Sequence, residues 1–110
     1  MKELAGLMKQ AREMQAKMAE AQKRLEEITL EASSGGGKVT AVVNGRQEIL
    51  EIRIDPEVVD PEDVEMLEDL VLAAVKEAMH QAGERAREEM AKAAGPLASL
   101  GGLGGGLPGF

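Results

Sequence analysis

Cysteine, tryptophan and tyrosine are absent from the sequence, and the single phenylalanine is its last residue, Phe110. Without cysteine there is no disulfide, no thiolate metal site and no cysteine nucleophile. The lone histidine, His80, excludes a His–His metal pair and leaves little acid–base capacity near neutrality. No apolar run approaches the roughly 18 residues of a membrane span. The opening Met1-Lys2-Glu3-Leu4 is charged where a signal peptide would need an apolar core. Excess positive charge is missing too: the 110 residues carry a net charge of -7. That excludes a uniformly basic nucleic-acid coat, and adhesion to an anionic membrane by net charge alone. The expectation is a soluble intracellular protein of one small domain, with a core of Leu, Ile, Val, Met and Ala.

What is present is strongly periodic. Leu4, Leu7, Ala11, Met14, Met18, Ala21, Leu25 and Ile28 alternate three- and four-residue steps, a heptad seam with Lys, Arg, Gln and Glu between its members. The pattern predicts a helix from about Lys2 to Glu27, roughly 39 Å long. A compact domain of this size has a radius of gyration of only about 13 Å. The helix should therefore project, and its outer seam needs either the second long helix of this chain or another subunit.

From Ile28 the period changes to two. Ile28, Leu30 and Ala32, then Val39, Ala41 and Val43, then Leu50, Ile52 and Ile54 alternate with polar residues. Gly35-Gly36-Gly37 and Asn44-Gly45 separate the runs, the latter a strong hairpin signal. Three short strands with one wet face predict an antiparallel meander. Its two open edges must be covered or paired, and a second copy is one way to do so. Asp60-Pro61-Glu62-Asp63 reads as a helix start, with Asp60 at the N-cap and Pro61 at the first position. The second helix should run from about Pro61 to Ala94. Its seam is Val64, Leu67, Val71, Ala74 and Ala78, thinning to Ala82, Ala86, Met90 and Ala93, and Gly95-Pro96 stops it. The fold class is α+β: long helix, three-stranded antiparallel sheet, long helix, Gly/Leu tail. Residues 1–94 form the structured unit, and 95–110 a flexible tail.

Charge is uneven. Residues 1–25 hold six basic side chains against three acids, whereas residues 48–69 hold ten acids against Arg53 alone. A polyanion would have to meet the long helices and avoid the start of the second one.

Specific words add to this pattern: Met8-Lys9-Gln10-Ala11 with Met14-Gln15, Gly35-Gly36-Gly37, Asn44-Gly45 and Ile54-Asp55-Pro56. The longest runs from Asp60 to Leu70 (DPEDVEMLEDL), followed by Ala73-Ala74-Val75, and the tail closes with Leu107-Pro108-Gly109. Over nearly its whole length the chain resembles the YbaB/EbfC family of bacterial nucleoid-associated proteins. The resemblance implies a homodimer with helices protruding like tweezers that binds double-stranded DNA and shapes the nucleoid, hence a cytoplasmic, nucleoid location. No nucleophile–base or metal constellation can be assembled from the residues, so neither catalysis nor a cofactor is expected. The resemblance also implies basic contacts along both helices: Lys2, Lys9, Arg12, Lys17, Lys23 and Arg24, and, on no sharp motif, Arg85, Arg87 and Lys92.

Other readings of the same residues are weaker. The basic residues of the first helix could form a solvated face with Glu13–Lys17 and Glu20–Arg24 pairs. Gly35-Gly36-Gly37-Lys38 is not a Walker A loop, because Ala32 and Val39 stand where it needs Gly and Ser or Thr. The acids from Asp55 to Asp69 lack the spacing of a calcium loop. With no stacking aromatics, single-strand binding is disfavoured and duplex backbone contact remains. The alternative function is a helix–hairpin–helix interaction protein or prefoldin-like holdase, gripping apolar segments through the Met-rich seam.

Overall fold

The first 26-residue helix, α1 (Lys2–Glu27), follows from a segment with no β-branched residue and no proline. The computed structural model describes residues 2–95, with side chains from Glu3 onward. Ile28, the first β-branched residue, closes the helix: its N–H donates to the carbonyls of Arg24 and Leu25 at 3.2 and 3.3 Å. Three strands follow, β1 (Thr29–Ser34), β2 (Val39–Asn44) and β3 (Ile49–Ile54), antiparallel in the order β1-β2-β3. Ala32 stands opposite Ala41, and Ala41 opposite Ile52.

The first turn uses its glycines as expected. Gly35, Gly36 and Gly37 lie at φ 61, 68 and 90°, where a side chain would be strained. The second hairpin turns at the expected place by other means. Its left-handed residue is Gln47, at φ 62°, and its loop is organised by the Asn44 side chain, which accepts from the N–H groups of Arg46 and Glu48 at 2.9 and 3.0 Å. Gly45 is required by proximity: its N–H donates to the carbonyl of Leu25 at 2.8 Å, and a Cβ there would lie 2.8 Å from that same oxygen. The hairpin is thereby bonded to the end of α1.

After β3, Pro56–Val58 form a single 3-10 turn capped by Asp55. The second long helix, α2 (Val64–Ala94), begins three residues later than the sequence pattern implies. The Asp60 carboxylate accepts from the Glu62 N–H at 2.9 Å and so builds a turn, leaving Asp63 to cap the helix through the Met66 N–H at 3.2 Å. At the far end the Gly95 N–H returns to the carbonyls of Ala91 and Lys92.

One face of the sheet is covered by α2. Ala74, Ala78 and Ala82 are fully buried against Ala32, Val39, Ala41 and Val43, small residues that let helix and sheet approach closely. The other face is wet, with Arg53 bonded across it to Glu31 at 2.6 Å and to Glu51 at 2.9 Å. The last part of α1 packs beside the last part of α2: Ala21 and Leu25 are buried, and Met14 and Met18 half-buried. Beyond them the seam has no cover among the described residues, and Leu4 and Leu7 are 58% and 63% exposed. The molecule is accordingly extended, 72 × 30 × 17 Å. The partner of the inner seam is the second helix of this chain. Pro96 to Phe110, where a flexible tail is expected, lie outside the described residues.

Candidate nucleic-acid interface

The cations of α1 divide by what they touch. Lys9, Arg12, Lys17 and Lys23 are exposed and hold no ion pair among the described residues. Lys9 and Arg12, with Glu13 and Ala16, border a shallow open groove along the helix. Arg24 does not pair with Glu20 one turn away; its Nε reaches across to Glu89 of α2 at 3.4 Å. The side chain of Lys2 lies outside those described.

On α2, Arg85 and Lys92 also converge on Glu89, at 3.6 and 3.7 Å, whereas Arg87 is exposed. The structure thus brings Arg24, Arg85 and Lys92 together and leaves Lys9, Arg12, Lys17, Lys23 and Arg87 dispersed. The organising residue, Glu89, is one that the sequence pattern missed. It is only 7% exposed and occupies the seam between Ala82 and Ala93, both buried. The expected line through Ala86 and Met90 is half-buried. A seam drawn through Ala78, Ala82, Glu89 and Ala93 keeps helical spacing and puts an acid between Arg85 four residues before and Lys92 three after. Burial pushes the Glu89 carboxyl up, but Lys92, Arg24 and Arg85 outweigh it, and its pKa lies below the ordinary value.

Two further cations are tied to the body of the fold. Arg46, in the second hairpin loop, pairs with Glu26 of α1, and Lys38 joins Asp55 and Glu57. The acidic stretch serves the backbone: Asp55, Asp60 and Asp63 each accept an N–H at a turn or cap. The Glu57 N–H holds the Asp55 carboxyl below its usual range; burial opposes this, and Lys38 nearby adds to the lowering. Among the described residues no cluster of acids or histidine is placed to hold a metal, and no helix is long and apolar enough to cross a membrane. His80 is exposed, 3.2 Å from Glu84 on its own helix.

A second surface is apolar. Because α2 lies over β1 and β2, the apolar side chains of β3 are left open; Ile49 and Leu50 are 51% and 54% exposed. Ile54 joins Leu67, Val71, Leu72 and Val75 in an open groove of about 460 Å³.

Residues 1–97 match the YbaB/EbfC DNA-binding family. A nucleoid-associated protein of Acetivibrio thermocellus is 55% identical over 97 residues, covering 88% of this chain and 86% of that protein. One of Moorella thermoacetica is 52% identical over 104 residues, covering 94% and 92%. The solved structure of an uncharacterized protein from Helicobacter pylori matches with a TM-score of 0.65 over 77% of this chain and 86% of that one. At 22% identity that likeness shows the fold alone.

Proposed function

The chain belongs to the YbaB/EbfC DNA-binding family, and from that premise we propose that it is a nucleoid-associated protein that binds duplex DNA through the phosphate backbone with little base readout. The observation that carries this reading is the separation of charge. Lys9, Arg12, Lys17 and Lys23 stand exposed on α1, while residues 48–69, which include β3 and the start of α2, carry ten acids against Arg53 alone. Exposed, dispersed cations give salt-dependent and sequence-independent affinity. Phosphate contacts of this kind position a protein without reading bases. Catalysis forms no part of the reading.

The apolar surface carries the second element of the proposal, a homodimer of residues 1–94. Ile49, Leu50, Ile52 and Ile54 line an unpaired strand edge beside the groove on α2, and a second copy brings the same edge and groove. Two copies joined there would place four long-helix ends at the periphery and the acidic residues near the centre. DNA would then meet the arms and be repelled from the body. Arms from two protomers on one duplex would change its path, which is how the protein would shape the nucleoid and influence expression.

Fluorescence anisotropy with unrelated duplexes, titrated with salt, tests this reading. Comparable affinity for all duplexes, falling steeply with salt, supports it. A holdase is the second reading, favoured by the exposed Leu4 and Leu7 on α1. Suppression of client aggregation, without duplex binding at low salt, would favour it instead.

A further inference from the structure

A glutamate in the buried seam of a helix pair is costly unless other groups hold it. Glu89 is held by three cations from two helices: Arg24 at 3.4 Å, Arg85 at 3.6 Å and Lys92 at 3.7 Å. The arrangement is asymmetric. The carboxylate is at the bottom, its side chain 10% exposed, and the cations rise from it with side chains 48%, 43% and 72% exposed. Three cations against one buried anion give these four residues a net charge of +2, with the exposed Glu84 and Glu88 on the same turns of α2 and Glu20 and Glu27 bordering Arg24 on α1. Both guanidinium groups engage Glu89 through Nε, so their terminal nitrogens are not consumed by these contacts. Lys17 lies one heptad before Arg24, and so on the same side of α1.

We infer that Glu89 is a positioning residue, that Arg24, Arg85 and Lys92 form a preorganised clamp for a phosphodiester group, and that this clamp at the α1–α2 junction contributes more affinity per charge than the dispersed cations of α1. The inference rests on the duplex-binding reading and places its strongest contact. The physical reason is the cost of ordering. A solvated lysine or arginine loses its rotamer freedom when it meets a phosphate, whereas a side chain already held by Glu89 has lost much of it beforehand. Without the carboxylate, three like charges from two helices repel one another and separate.

The test compares two sets of equal charge in the full-length protein, by anisotropy with one duplex across a salt series. The set Arg24→Gln, Arg85→Gln and Lys92→Gln should weaken binding about tenfold or more near 0.1 M salt and make the log-log slope shallower by about 2 to 3. The set Lys9→Gln, Arg12→Gln and Lys23→Gln should weaken it only about threefold. Adding Glu89→Gln to the first set removes the buried carboxylate left without partners, and circular dichroism verifies folding. Equal losses from the two sets, or a larger loss from the second, overturn the clamp. Glu89→Gln alone separates positioning from simple charge. Removing a negative charge should tighten DNA binding if Glu89 only subtracts from the field; the clamp requires weaker binding, partly rescued by Glu89→Asp. Tighter binding by Glu89→Gln overturns the positioning role. Failure of the wild-type protein to bind duplex at all overturns the parent reading instead, so the two failures are distinct.

Discussion

Among the described residues, the apolar surface around β3 and the charged surface of the long helices are opposite in character. Around β3 and the start of α2 the exposed groups are Ile49, Leu50, Ile52, Ile54 and Leu72, set among acids. Around α1 and the end of α2 they are lysines and arginines interleaved with glutamates, with Leu4 and Leu7 exposed at the far end of α1, and the buried seam itself holds a charge, Glu89. The first surface loses free energy only by meeting another apolar surface. The second gains by releasing counterions from a polyanion. On the proposed reading, self-association is kept apart from DNA contact, because long helices carry the two surfaces away from each other.

The largest effect should come from breaking the apolar surface. Ile52→Glu with Ile54→Glu places charge on the open side of β3; light scattering should then return the 11.7 kDa monomer in place of a dimer. Duplex affinity should fall by an order of magnitude or more, because the number of phosphates met per particle is halved. A dimer that survives both changes would move the interface elsewhere.

Next in size is the joint that aims the arm. Gly45→Ala puts a Cβ 2.8 Å from the Leu25 carbonyl oxygen, and backbone must move to admit it. A destabilisation of about 1–3 kcal/mol is expected, seen as a lower melting temperature. An unchanged melting point would show that hairpin and arm are not locked together there.

The frame of the molecule was legible in the sequence. Both bounds of α1 and the end of α2 follow from periodicity and from Gly95, and all three strands from alternation, each to within a residue or so. What was not legible depended on through-space partners. Asp60 resembles a cap, but its carboxylate is used in a turn and Asp63 takes over. Gly45 resembles a turn glycine, but its smallness serves Leu25. Glu89 resembles surface charge because the seam's slight rotation over the last turns of α2 is invisible without α1. Its three cations come from both helices, so no window along the chain contains the cluster.

A smaller effect concerns pH. Glu89 and Asp55 both have folded pKa values below their ordinary ones. Their contribution to stability is therefore complete above the ordinary carboxylate pKa of about 4 and is lost as pH falls through the folded values. Thermal melts should show the wild type losing stability below about pH 4 more steeply than Glu89→Gln does. Parallel curves would show that the junction is not held by that charge. The smallest effect is expected from removing residues 96–110: melting temperature and dimer should be unchanged, and a large drop would mean that the tail packs.

The central claim, a dimer that meets duplex phosphates through its arms, is tested most directly by the salt dependence of wild-type binding. With about 4 to 8 phosphates neutralised per dimer, the plot of log affinity against log salt should be linear with a slope of about -4 to -7, the same for unrelated duplexes. A slope near zero, or no duplex binding at low salt, would contradict the account.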